Sequence, residues 1–194
     1  MFKKLALVAL LTSLSGPALA VTLDFEGILG NTTNCCNTYN GNGPSKDGFN
    51  LVLSHGHVIK YNYGGYQNHN GTDWLMHDSG GNMTLTSDHG PFSLDKLDHA
   101  SYLAGSLAQA VVTGYLNGGG TVTKTLSTSG VFSTIVFGWT NLLSVTFDAQ
   151  TSRNAYDNIV VNKATVVPLP AALPLLAGGL GLLGFMGWRR KRAA

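Results

Sequence analysis

Asp24 and Glu26 stand two apart in "VTLDFE", and Asp157 and Asn158 open "DNIVVN". Residues two apart on a strand share a face. If the first and last strands of a β-sandwich lie side by side, the four side chains bring oxygen donors together. Such a set suits Ca²⁺, which takes six to eight oxygens in irregular geometry. The alternative is a solvated strand face beside an Asp–Asn turn capped by its own backbone.

A second group lies in the stretch 62–81, "NYGGYQNHNGTDWLMHDSGG". Tyr63, Tyr66 and Trp74 offer aromatic faces, with Tyr61 just before them, and Asn68, Asn70 and Asp73 offer hydrogen-bonding edges. Sugars present an apolar C–H face and a rim of hydroxyls, so this pairing suits a glycan. The competing account is that the aromatics pack inward and staple a long loop to the body. "HGH" places His55 and His57 on one face if extended, as in a two-ligand zinc edge. Spacing specifies no third ligand, and exposed loop histidines are the other account. Cys35 and Cys36 are adjacent. A vicinal disulfide, free thiols and a link to another chain all remain open, since neighbours bridge only in a tight ring.

No catalytic residue stands out. G-x-S-x-G, H-E-x-x-H, a P-loop and a G-x-G-x-x-G in a βαβ context are all missing. A carboxylate pair for glycoside hydrolysis has no spacing rule and stays open.

The elements that must position these groups read as strands. Val21, Leu23 and Phe25 alternate with Thr22, Asp24 and Glu26, and "FNLVLS" alternates in the same way. "MTLT", "FSLDKL", "AVVTGYL", "TVTKTL", "FSTIVFG", "LLSVTFD" and "NIVVN" continue the series between Gly, Asn and Asp turns. "DKLDHASYLAGSLAQA" is the one weak helical candidate. The stretches 27–48 and 62–81 read as long loops. The expected fold is all-β: a jelly-roll-like β-sandwich body over 21–166, with a separate single C-terminal transmembrane helix.

The termini read as addresses. "MFKKLALVALLTSLSGPALA" has Lys3 and Lys4, a short apolar run, and small residues at Ala18 and Ala20. This is a signal-peptide pattern over 1–20, with cleavage expected after Ala20. At the other end, Ala171 to Trp188 carries no charge, and Arg189, Arg190, Lys191 and Arg192 follow as a cytoplasmic stop-transfer cluster. The whole chain carries a formal charge of +2, but six of its twelve basic residues lie in these segments. The body is therefore acidic, at about −4, and has no basic patch for nucleic acid.

"VPLPAALPLLAGGLGLLGFMGWRRKR", paired with a signal peptide, resembles the PEP-CTERM sorting signal of Gram-negative bacteria in its VPLPA variant. The resemblance places the sorting motif at Val167, Pro168, Leu169, Pro170 and Ala171, with the span over 172–188 and the basic cluster over 189–192 of a tail covering 167–194. Leu169 stands where the eponymous motif has Glu. The resemblance implies processing by exosortase and transient residence in the inner membrane through 172–188. It then implies release to the cell envelope, cell surface or extracellular matrix, often beside exopolysaccharide. The body is also similar to recurrent PEP-CTERM exoproteins and to carbohydrate-binding and MAM-type adhesion sandwiches. The motifs that carry this are "LDFEG", "GPFSLDKLD", "VVTGYLNGGGTVT", "LLSVTFDA" and "YDNIVV". The resulting expectation is a non-enzymatic exported protein that binds glycan, exopolysaccharide or another surface protein. The alternative is a small secreted polysaccharide hydrolase.

Overall fold

The computed structural model describes residues 20–29, 36–61, 70–102, 105–128, 130–163 and 178. The signal segment with Ala18, the sorting motif, the basic cluster, and the predicted span apart from helical Gly178 lie outside them. So do Cys35, Tyr63, Tyr66 and Asn68. Among the described residues, no helix is long and apolar enough to cross a membrane.

Among the described residues, ten antiparallel strands build the body: β1 (Ala20–Leu23), β2 (Cys36–Lys46), β3 (Phe49–Ile59), β4 (Trp74–His77), β5 (Asn82–Ser87), β6 (Phe92–Ser101), β7 (Ala108–Leu116), β8 (Thr121–Thr128), β9 (Ser133–Thr151) and β10 (Asn154–Lys163). Hydrogen bonding runs β1-β10-β4-β3-β5-β9-β7-β8, with β2 on β3. β6 pairs with both β10 and β9, which closes β10, β4, β3, β5, β9 and β6 into a ring. The all-β expectation therefore holds. Instead of two separate layers, one hydrogen-bonded surface wraps the core.

Bent strands make that closure possible, because a strand that turns a corner can pair with different partners at its two ends. β3 gives Phe49–Leu53 to β5 and Gly56–Ile59 to β4. β9 gives its first half to β6 and its second to β5 and β7. Its bend carries Gly138 and Asn141 at φ 63° and 59°. Glycine and asparagine tolerate that left-handed region best.

The main core gathers Leu23, Phe49, Leu53, Leu85, Phe147 and Tyr156 with their neighbours. A smaller cluster holds Ile59, Trp74, Met76, Ala100 and Ala155, with Tyr102 and Phe132 packed against it. Burying such side chains is the main favourable term in folding.

Three expectations need correction. The stretch 27–48 contains β2, an exposed polar edge strand of composition CNTYNGNGPSK. Its Pro44 sits where the β2–β3 register shifts, a position where a missing N–H is tolerated. The stretch 62–81 contains β4, whose four residues are all buried and so show no alternation. The weak helical candidate is strand: most of it belongs to β6 and the start of β7.

Candidate functional site

β3 ends at Ile59 and the chain returns at Trp74, directly opposite it. The intervening loop is fastened at its mouth. Tyr61 N donates to Asp73 Oδ1 at 3.1 Å, and Asp73 N donates to Glu26 Oε1 at 2.8 Å. Further along, Asn70 Nδ2 and Thr72 Oγ1 donate to Asp157 Oδ2 at 2.5 and 2.7 Å. Thr72 N closes a turn onto Asn70 Oδ1 at 3.2 Å.

Asp157 can receive these donors because β10 breaks register after it, with Asn158 at φ 48°. Bulges of this kind re-aim side chains. Asn158 N donates to Asp157 Oδ1 at 2.7 Å, and Asn158 Nδ2 reaches Asp98 Oδ2 at 2.9 Å. Asp157 is fully buried. Burial first, and the nearby Asp98 charge second, push its carboxyl up to about 6, against the pull of its hydrogen bonds from Thr72, Asn70 and Asn158.

Two members of the expected four-oxygen set take other partners. β1 stops at Leu23 and Phe25 adopts φ 57°, so Asp24 and Glu26 lie beyond the regular strand, where both line a small hollow. Asp24 instead takes Lys46 Nζ at 2.9 Å, while Glu26 serves the loop mouth. Asp157 and Asn158 do meet, as one continuous turn.

Of the expected glycan contacts, Asn70 and Asp73 hold the loop in place. Trp74 is fully buried and presents no face to a ligand. The cause is the double burial of β4: the ring lies edge-on to Tyr102 and Phe132 at 6.3 and 6.1 Å.

At the base of this loop lies a cleft of about 390 Å³ that sequence spacing did not reveal. Thr38, His57, Tyr102 and Arg153 line it, with Met76 and Cys36 on its walls. Cys36 is disulfide-bonded, and Cys35 is the chain's only other cysteine. The Arg153 guanidinium lies 5.2 Å from the Tyr102 ring centre, within cation–π range. A smaller hollow of about 230 Å³ between Phe25 and Pro44 is more apolar in its lining and is bordered by the Asp24–Lys46 pair. The larger cleft combines aromatic, cationic and hydroxyl groups in one place, which makes it the better binding candidate.

Beside that cleft, His55, His57 and Asp78 form the one group among the described residues whose ligand atoms lie within 4.8 Å of one another. The two histidines do share a face, as their spacing implied, but on a strand instead of a loop. Burial holds His57 below the ordinary histidine range, with Asp78 pulling the other way. His77 and His99 are buried elsewhere and are also held down by desolvation.

No protein-family model and no curated protein matches the chain. Solved structures that resemble it include a mutant of the family 29 carbohydrate-binding module CBM29-2. It matches at 14% identity with a TM-score of 0.37, over 66% of this chain and 91% of that one. A peptidoglycan O-acetylesterase matches at 17% identity and 0.36, over 66% of this chain and 33% of that one. Family 16 Carbohydrate Binding Module-2 matches at 15% and 0.31, over 60% and 88%. None superposes closely enough to transfer a site or an activity.

Proposed function

We propose that this is an exported surface or extracellular-matrix protein of a Gram-negative bacterium whose β body binds glycan. The observation that carries the binding role is the cleft beside Tyr102. An aromatic ring backed by a guanidinium, with Thr38 and His57 beside it, offers both surfaces that a sugar presents. Tyr63, Tyr66 and Asn68, the other ligand contacts expected from the sequence, lie outside the described residues. Export and sorting rest on the sequence: the signal pattern over 1–20 and the PEP-CTERM-like tail over 167–194. Among the described residues the strands run from Ala20, the last residue of the signal pattern, to Lys163, ahead of the tail. Exosortase is the expected processing partner.

A structural Ca²⁺ at Asp24, Glu26, Asp157 and Asn158 is a further part of this reading. Asp24 also takes Lys46 Nζ, and Glu26 also accepts from the Asp73 amide through Oε1. Calcium should then raise the melting temperature, and Asp24→Ala or Asp157→Ala should remove the rise. No shift with calcium or chelator removes the ion from the account.

The binding role is tested by incubating the secreted protein with exopolysaccharide. Retention without new reducing ends supports it. Release of reducing sugar favours the hydrolase alternative instead.

A further inference from the structure

The geometry points to a transition-metal site at His55, His57 and Asp78, suited to Zn²⁺ or a similar d-block divalent cation. The site shares His57, Thr38 and Arg153 with the cleft, but the inference does not rest on glycan binding. His55 and His57 are two apart on β3, so both side chains leave the same face. β4 pairs with that part of β3 so that Gly56 opposes His77. Asp78 therefore falls opposite His55, and its backbone N donates to His55 O at 3.3 Å. Gly56 is required at the centre of the pair: a Cβ there would lie 2.7 Å from Met76 O and 2.5 Å from Leu53 Cδ2.

Three atoms converge. His55 Nε2 and His57 Nε2 lie 3.3 and 3.5 Å from Asp78 Oδ2. Metal bonds of about 2.1 Å in a tetrahedron put ligand atoms about 3.4 Å apart, so these separations match two of its edges. The imidazoles stand nearly perpendicular, at 87° with centroids 5.4 Å apart. Arg153 Nε donates to Asp78 Oδ1 at 2.8 Å, which fixes the carboxylate and leaves Oδ2 toward the histidines. His55 is half exposed, so a fourth position is open to water or a ligand. Nitrogen donors select against Ca²⁺ and for zinc-like ions.

The outer partners decide how readily the ion binds. Thr38 Oγ1 lies 3.0 Å from His57 Nδ1, and a hydroxyl can accept the Nδ1 proton once Nε2 takes the metal. Asn40 lies 2.5 Å from His55 Nδ1. With its amide nitrogen toward the ring it also donates to Tyr39 O and Ser54 O, each at 3.2 Å. That orientation suits the metal-free state, in which His55 Nε2–H faces Asp78. Metal binding requires the Asn40 amide to turn and present its oxygen to Nδ1–H. Asn40 is thus a positioning residue that restrains affinity, and a carboxylate in its place would release the restraint.

The test is titration of the chelator-stripped full chain with ZnCl₂, followed calorimetrically and by histidine ¹⁵N NMR. The expected result is one Zn²⁺ per chain, with the ring nitrogens of His55 and His57 shifting and those of His89 unmoved. His55→Gln and His57→Gln should each weaken binding by about tenfold or more, and Asn40→Asp should tighten it. CaCl₂ should not compete. The proposal is overturned if the wild type takes up no zinc, if the signals of His55 and His57 stay still, or if binding survives both Gln variants. The NMR arm reads the wild type alone, so it decides even where a variant fails to fold.

Discussion

Asp157 and Asp78 each sit at the centre of a cluster of donors, and the two clusters are built from different chemistry. Around Asp157 stand amides and a hydroxyl: Asn70, Thr72 and Asn158, in a fully buried setting. Around Asp78 stand two imidazoles and a guanidinium at the protein's surface. The first set saturates its carboxylate and anchors a loop. The second leaves an oxygen facing two nitrogen atoms that can exchange a proton for a metal. The difference teaches that a carboxylate's role follows from whether its neighbours can only donate protons or can also surrender them.

Removing each carboxylate should therefore have unequal effects. Asp157→Ala strands buried donors and frees the loop, and should cost about 3–5 kcal/mol in urea denaturation. An effect below about 1 kcal/mol would show that the loop is held by other means.

Protonation offers a gentler version of the same experiment. Asp157 rises from 3.8 to about 6 on folding, so the native state binds the extra proton between those values. Its contribution to stability is then greatest at low pH and falls as pH rises from about 4 to 6, by about 3 kcal/mol in total. Asp157→Asn should remove that fall. His77 and His99 act in the opposite sense, because their folded values are lowered. Their contribution is present above the unfolded histidine value of about 6.5 and is lost as pH drops below it. The comparison is sharpened by the difference between wild-type and Asp157→Asn stability curves across pH 4–6, and a difference of zero would break it.

Gly56→Ala should cost about 1–3 kcal/mol, because the methyl group meets the Met76 carbonyl, and it should disturb the histidine pair at the same time. A neutral result in thermal melting would mean the two strands can separate there freely. Smallest of all, Asp78→Ala in metal-free protein should change stability by about 1 kcal/mol or less, since its partners are partly exposed. A larger loss would make Asp78 a structural anchor like Asp157.

Much of the fold was legible because it depends on alternation. Val21, Leu23 and Phe25 all turn inward, as their period of two implies. β2 and β4 escaped notice for opposite reasons: one is an edge strand that needs no apolar face, and the other is buried on both. The sites were harder to read. Asp24 and Glu26 could be paired from their spacing, but their partners, Lys46 and the Asp73 amide, come from distant segments. The His55–His57 pair could be read locally. Asp78 could not, because it reaches His55 only through the β3–β4 register. Likewise, Tyr102 and Arg153 meet across the fold, and nothing local in either segment announces the cleft between them.

The central claim is that this cleft holds glycan. The most direct measurement is binding of the purified protein, fluorescently labelled, to a printed glycan array, compared with Tyr102→Ala and Arg153→Ala. The account predicts that the wild type retains a defined set of glycans and that each variant loses more than about tenfold in affinity while remaining folded. Retention of no glycan by the wild type, or equal retention by all three proteins, would contradict it.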